Sequence, residues 1–203
     1  MFEIVNEENF VTVKYSAEHK KWLIEVFLGV CALLLVCWAV MLFKIASVEI
    51  SMILALALVG WLIVFFVKYS DIKSFSLIIS ENGITFNCKK QKIEAQWNEI
   101  KSCGIITRTG SESIEDTITN SFGSVETNKK NTFYFTKTEK PKLKKLVYQV
   151  RTTAIVDHGI VKEMCYISEY RGTQLFSVIL DTFDKFNSNP ELTCITQDRN
   201  NIK

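Results

Sequence analysis

The chain has 203 residues, 48% of them hydrophobic, and its 24 basic and 22 acidic residues leave a net charge of only +2. So small a net charge argues against nucleic acid as the partner, because nucleic-acid-binding domains are strongly basic. The six cysteines include no CxxC pair, which is typical of a protein from a reducing compartment and argues against a disulfide framework.

Residues 1–21 are predicted to be a cytoplasmic N-terminal segment. Within it, Phe10-Val11-Thr12-Val13 is either a short strand or part of a tail. Two apolar runs follow, over 22–43 and 50–67, and each is about as long as the roughly 20 residues that a helix needs to cross a bilayer. We therefore predict two transmembrane helices joined by a short outer loop over 44–49.

Two alternatives accompany the first run. A cleaved signal peptide also places basic residues before an apolar stretch, although this run is longer than a typical signal core. Glu25 lies near the start of the run, where its carboxylate can reach the headgroups beside Lys21; the alternative is a proton or ion site.

The basic residues around the two runs indicate their orientation. Only Lys44 lies in the short loop. Five lysines flank the ends of the two runs that are away from this loop, namely Lys14, Lys20, Lys21, Lys68 and Lys73. By the positive-inside rule we expect a multi-pass protein of the cell membrane with two spans and with both termini in the cytoplasm.

A cytoplasmic domain is predicted over 71–187, and six segments in it have the composition of strands. They are Phe75–Ser80, Ile84–Cys88, Lys92–Trp97, Ile100–Thr107, Asn131–Thr136 and Lys162–Tyr170. Asn82-Gly83 is expected to form the turn after the first strand, and Gly104 a bulge in the fourth. The polar stretch from Arg108 to Lys130 is expected to be a long loop.

Two helices are predicted in the second half of this domain. Leu143, Leu146, Val147 and Val150 follow helical spacing after Pro141 and predict an amphipathic helix with a basic face. Gln174–Phe186 has a similar apolar stripe. The segment Asp157-His158-Gly159 is predicted to be a turn, and residues 188–203 a flexible tail.

The order of these segments resembles a known family. Leu77 to Ile105 contains an alternating strand, a glycine turn, a basic hairpin tip and Trp97-Asn98-Glu99-Ile100 leading into the next strand. With the aromatic strand Phe133–Thr136 and with Tyr170-Arg171 before the last helix, it resembles the bacterial pleckstrin-homology-like (PH-like) domains of small Firmicute membrane proteins. The resemblance covers Phe75 to Phe186. It implies an α+β protein: an N-terminal transmembrane helical hairpin, then a PH-like bent antiparallel β-sandwich or barrel with a C-terminal capping helix.

The sequence lacks the patterns that catalysis or metal binding usually leaves. His19 and His158 are the two histidines, and neither has another ligand at metal-binding spacing. Glycine-rich phosphate loops and GxSxG elbows are absent from the sequence. The acidic residues Glu112, Glu115 and Asp116 lie in the polar loop, where carboxylates are usually solvated. We therefore expect a non-enzyme with no catalytic residue, cofactor or metal.

The basic residues of the domain form the clearest functional feature. Lys89, Lys90 and Lys92 lie at a hairpin tip, and Lys142, Lys144 and Lys145 on the first helix of the domain. A lysine near the anionic cytoplasmic leaflet contributes about 1 kcal/mol to binding. We predict that these six residues contact anionic lipid, and the alternative is an ordinary solvated surface.

The expected function is to hold a PH-like binding domain at the cytoplasmic face of the membrane, where it binds a protein or a lipid headgroup. The alternative is an accessory subunit of a transporter or envelope complex that acts through its transmembrane helices. The expected partners are the lipid bilayer and either anionic lipid headgroups or a membrane or cytoplasmic protein. We also expect the fragment Asp71–Lys203 to fold alone.

Overall fold

A computed structural model describes residues 2–44, 48–89, 91–109, 129–150, 156–170, 173–198 and Ile202. The chain divides into two compact units, which we call the helical unit and the β unit. The helical unit is Tyr15–Phe75, and the β unit combines Met1–Lys14 with Ser76–Lys203. The predicted α+β class is confirmed, with two long apolar helices near the N-terminus and two β-sheets.

Helix α1 (Ala17–Lys44) and helix α2 (Val48–Ser74) form the helical unit. Helix α1 starts earlier than predicted because Ser16 acts as its N-cap: the Ser16 hydroxyl oxygen accepts a hydrogen bond of 3.2 Å from the His19 backbone N–H. Polar residues without proline or glycine continue α2 as far as Ser74. The predicted spans are therefore the apolar parts of two longer helices.

The two helices pack against each other, and the rings of Phe27 and Phe65 stack with their centroids 3.7 Å apart. In the apolar stretches Ala17–Ala39 and Ala55–Ser74, none of the residues is buried. Both helices have the length and composition of membrane spans, as a core helix or an N-terminal signal sequence also would. Near the start of α1, Lys21 Nζ and Glu25 Oε1 lie 3.8 Å apart.

Five strands form the first sheet, sheet A, in the order β1-β2-β3-β4-β5. Their bounds are β1 Phe2–Asn6, β2 Phe10–Tyr15, β3 Ser76–Ser80, β4 Gly83–Cys88 and β5 Gln91–Ala95. Strand β2 runs antiparallel to β3, and Val13 lies opposite Leu77. Phe10–Val13 is thus part of a strand, and Met1–Lys14 belongs to the β unit. The chain leaves sheet A after β2, forms the two long helices, and returns at β3.

The first hairpin turn of the β unit differs by one residue from the prediction. Ser80 pairs with Gly83, so Glu81 and Asn82 are the two turn residues, and Gly83 has a positive φ of 136°. A Cβ atom on Gly83 would clash with the Ala95 carbonyl oxygen. Glycine is therefore required here for backbone conformation and for close packing on β5.

Five further strands form sheet B, in the order β10-β6-β7-β9-β8. Their bounds are β6 Ser102–Thr109, β7 Lys129–Thr136, β8 Val156–Val161, β9 Met164–Tyr170 and β10 Cys194–Asp198. Strand β10 runs parallel to β6, and the other neighbours are antiparallel. Residues 110–128 of the predicted loop lie outside the described residues.

Two predictions are wrong in sheet B. Asp157-His158-Gly159 lies within strand β8 and is not a turn, because pairing with β9 extends this segment. Residues Cys194–Asp198 form a strand where a flexible tail was predicted over 188–203. Both segments are polar or weakly alternating, so their strand conformation depends on neighbours that are distant in the sequence.

Gly104 does not form the predicted bulge. The pairing of β6 with β7 is continuous from Ser102 opposite Thr136 to Thr109 opposite Lys129. A Cβ atom on Gly104 would lie 2.5 Å from the carbonyl oxygen of Ile195 on β10. This glycine therefore lets β10 approach β6 closely.

The sheets and the last helix share a hydrophobic core. Phe86 of sheet A and Phe135 of sheet B meet edge to face with ring centroids 6.1 Å apart. Helix α4 (Thr173–Phe186) confirms the second predicted helix of the domain and buries Leu175, Phe176, Ile179, Phe183 and Phe186. In the described residues the strands form two sheets, not a closed barrel.

The other face of sheet B is covered by the short helix α3 (Leu143–Gln149), which confirms the amphipathic helix predicted after Pro141. Leu146 is fully buried there, in a cluster with Ile106, Tyr134, Val150, Val161, Met164 and Tyr166. Because α3 directs its apolar residues toward the sheet, its lysines are left on the outer surface.

Candidate functional site: two groups of basic side chains

The first predicted basic group lies at the turn between β4 and β5. Cys88 pairs with Gln91, so Lys89 is one of the two turn residues, with φ of 48°. Lys90, the other predicted lipid contact in the turn, lies outside the described residues. Lys92 on β5 forms an ion pair with Glu94. The turn therefore carries less uncompensated positive charge than the sequence predicts.

The second predicted group lies at helix α3. Lys142 immediately precedes the helix, Lys144 and Lys145 are in its first turn, and all three side chains are exposed. Together they line an open cavity of about 530 Å³ with Pro141, Leu143, Gln197 and Ile202. The tertiary structure thus adds the C-terminal Ile202 and part of β10 to the predicted helix face.

A fourth lysine, which the sequence analysis did not select, joins this group. Lys162 is a residue of the β8–β9 turn, where its φ is 45° and that of Glu163 is 70°. The side-chain amine of Lys162 lies near that of Lys145 and holds the pKa of Lys145 below its usual value, with a smaller contribution from Lys142. The signal available in the sequence was the charged pair Lys162-Glu163 between two apolar strands.

These lysines lack acidic partners among the described residues: none of Lys142, Lys144, Lys145 and Lys162 forms an ion pair there. Glu163 shares the turn with Lys162, but its carboxylate accepts a hydrogen bond of 2.8 Å from the Thr138 hydroxyl. No carboxylate among the described residues therefore relieves the mutual repulsion of these lysines.

An aromatic side chain lies beside the lysines. Tyr148 is 85% exposed, and it follows Lys144 by one helical turn. A second small cavity of about 200 Å³ is lined by Lys144, Val147, Tyr148 and Ile202. We call the surface formed by Lys142, Lys144, Lys145, Lys162 and Tyr148 the α3 patch.

A larger groove, of about 870 Å³, lies along β4, β5 and the residues that follow them. Some of its polar groups are paired with each other. The Trp97 indole N–H donates to the carbonyl oxygens of Ser80 at 3.1 Å and Glu81 at 3.0 Å. The Lys137 ammonium donates to Glu99 at 2.8 Å, and this hydrogen bond lowers the pKa of Glu99. The groove is thus a polar surface in which Lys137 and Glu99 are paired with each other.

Two buried thiols of the β unit have a raised pKa. Burial raises the pKa of Cys165 to about 12. A hydrogen bond with Cys194 and then burial raise the pKa of Cys103. A cysteine nucleophile acts as the thiolate, so a raised pKa makes these thiols unreactive near neutral pH.

The two histidines lie in different elements. His158 is buried in β8, and His19 stacks on Tyr15 and Trp22 at the start of α1. The acidic group of the polar loop, Glu112, Glu115 and Asp116, lies outside the described residues. The expectation of a non-enzyme stays a prediction.

Comparison with protein-family models, with curated proteins and with solved structures finds no match. The resemblance to PH-like domains therefore stays a prediction.

Proposed function

We propose that this protein is a non-catalytic, membrane-anchored binding protein. In this proposal, α1 and α2 cross the cell membrane as a hairpin, and the β unit is a PH-like domain held at the cytoplasmic face. The domain binds a protein or a lipid headgroup there. The observation that carries the proposal is the pairing of β2 with β3 across the insertion of the two helices.

This pairing supports a hairpin with both ends on one side of the bilayer. Val13 and Leu77 are paired, and only three residues separate Val13 from the start of α1 at Ala17. So short a segment spans at most about 14 Å, whereas the hydrocarbon core is about 30 Å thick. If the helices cross the membrane, the start of α1 and the end of α2 must therefore lie on the same side of the bilayer.

The same strands argue against a cleaved signal peptide. Cleavage after the apolar run of α1 would remove β1 and β2, and with them the buried side chains of Val11 and Val13. A signal peptide is normally dispensable for the mature fold. The absence of buried residues from the apolar stretches argues equally against a pair of core helices.

The β unit favours binding over catalysis. Burial raises the pKa of the Cys165 thiol to about 12, and in the groove along β4 and β5 the Lys137 ammonium is paired with Glu99. Two sheets with the apolar helix α4 packed on strands β3 and β7 support the PH-like interpretation. Strands β1, β2 and β10 extend that arrangement.

The orientation is tested with short epitope tags at the N-terminus and the C-terminus of the full chain. In inside-out vesicles, both tags should be removed by added protease. In right-side-out vesicles, both should be protected. One tag on each side, or a mature chain that lacks its first residues by mass spectrometry, would contradict the anchored hairpin.

The role of the helices as an anchor is tested by replacing the apolar stretches of α1 and α2 with an unrelated transmembrane hairpin. We expect crosslinked protein partners of the wild-type chain to be retained, because the β unit makes the contacts. Loss of every partner with the β unit still folded would instead favour the accessory subunit that acts through its helices.

A further inference from the structure

We propose that the α3 patch is a docking surface for an anionic lipid bilayer. This inference rests on the proposed membrane anchoring, and it assigns the lipid contact to one face of the β unit. It also separates that face from the β4–β5 turn, which the sequence alone favoured equally.

The positive charge of the α3 patch favours an anionic partner. Lys142, Lys144 and Lys145 line one cavity, and Lys162 lies near Lys145. None of the four has an acidic partner among the described residues. An anionic surface relieves their mutual repulsion, and it does so for all four ammonium groups at once. A single carboxylate could compensate only part of the charge.

The α3 patch also contains an exposed aromatic side chain. Tyr148 and Ile195 are the large hydrophobic residues of the β unit that stand out as exposed among those described, and Tyr148 is the one placed beside the lysines. Tyrosine is favoured at the level of lipid headgroups, because its ring is apolar and its hydroxyl is polar. An exposed tyrosine among lysines suits a bilayer interface better than it suits an acidic protein surface without apolar groups.

The β4–β5 turn lacks this combination. Lys92 is paired with Glu94, and no large exposed hydrophobic residue lies beside Lys89 among the described residues. Lysine alone gives attraction that salt screens, whereas lysine with an inserted aromatic ring gives attraction that persists at moderate salt. The two surfaces therefore predict different behaviour.

The anchor makes weak docking sufficient. A domain tethered to the bilayer experiences a high effective concentration of lipid headgroups, so a few lysines and one aromatic ring can hold it on the surface. The lipid composition would then control how long the β unit lies on the membrane and how long it is free for a partner.

The test uses the full chain in nanodiscs of neutral phosphatidylcholine, which do not sediment on their own. Dense vesicles of phosphatidylcholine with or without 30% phosphatidylserine are added, and the protein that sediments with them is measured. We expect sedimentation with the anionic vesicles only. The patch variant Lys142→Gln/Lys145→Gln/Lys162→Gln should bind roughly 100-fold more weakly, because each lysine contributes roughly a fivefold factor.

The matched control is Lys89→Gln/Lys92→Gln/Lys101→Gln, which removes the same charge from other exposed positions of the β unit. It should weaken binding less than fivefold. Tyr148→Ala should weaken binding, and Tyr148→Trp should restore it. The substituted side chains are exposed, so thermal melting of each variant should match the wild type.

Several results would overturn the proposal. They are equal loss in the patch and control variants, unchanged binding of the patch variant, or no binding of wild type to anionic vesicles. Competition by millimolar inorganic phosphate at constant ionic strength would point to a pocket for free anions and would also reject lipid docking. Each of these leaves the protease test of the anchored hairpin untouched, so the two proposals fail separately.

Discussion

Removal of the N-terminal strands should unfold the β unit, although these strands lie far in the sequence from the other strands of sheet A. Val11 and Val13 of β2 are 3% and 0% exposed. Burial of one such side chain contributes about 1.5–3 kcal/mol, so the two contribute about 3–6 kcal/mol before the backbone pairing with β3 is counted. A domain of this size is stable by only about 5–15 kcal/mol. The fragment Asp71–Lys203, which the sequence suggested would fold alone, should therefore be largely unfolded.

The direct comparison uses two soluble proteins. One joins residues 1–14 to residues 76–203 through a linker of about four Gly and Ser residues, a length that suits a hairpin between paired strands. The other contains residues 76–203 alone. We expect a cooperative thermal transition by circular dichroism for the linked protein and none for the fragment.

Point variants of β2 separate burial from the mere presence of a strand. In the linked protein, Val13→Ala should lower the free energy of unfolding by about 2 kcal/mol. The matched variant Thr12→Ala, whose side chain lies on the other face of the strand, should change it by less than about 0.5 kcal/mol. Equal melting temperatures for the linked protein and the fragment would refute the assignment of β2 to sheet A.

Three further predictions concern the β unit. Gly104→Ala should detach β10, because the new Cβ would lie 2.5 Å from the Ile195 carbonyl oxygen. Amide hydrogen exchange should accelerate in β10 and stay unchanged in β7. Burial raises the pKa of Glu169 above its usual value of 4.5, although a hydrogen bond from the Phe2 backbone N–H acts in the opposite direction. The folded protein therefore binds this proton more tightly than the unfolded chain, and wild-type stability should fall as the pH rises from 4.5 through the folded-state pKa. The melting temperature of Glu169→Gln should therefore equal that of the wild type near pH 4 and exceed it at pH 7. A difference in melting temperature that does not change with pH would contradict this cause. Cys165 should resist N-ethylmaleimide at pH 8 in the folded protein and react after denaturation, as measured by mass spectrometry, because burial raises the pKa of its thiol to about 12; rapid labelling of the folded chain would show an accessible thiolate.

Local patterns predicted most of the elements. Strands β3, β4, β6, β7 and β9 and both helices of the β unit lie within a few residues of the predicted bounds. Alternating or helically spaced apolar residues report which face will be buried, and that information is contained in the segment itself. The strands without such a pattern, β8 and β10, could not be found in this way.

The candidate site was predicted only in part. The lysines of α3 were identified from the helical spacing of Leu143 and Leu146, since residues between the apolar positions must face outward. Lys162 was missed because its proximity to Lys145 arises from a hairpin that packs beside α3. The ion pair of Lys92 with Glu94 likewise removed a lysine that the sequence counted as available.

The sequence by itself determined that the chain has two long apolar helices and a separate αβ region, because uninterrupted apolar runs and residue periodicity are local properties. Only the tertiary structure decided that Phe10–Tyr15, which precedes both helices in the sequence, pairs with β3, which follows them. Strand pairing depends on partners that the fold brings together, and no local pattern encodes them. For the same reason, only the fold could add the turn lysine Lys162 to Lys142, Lys144, Lys145 and Tyr148 in the α3 patch.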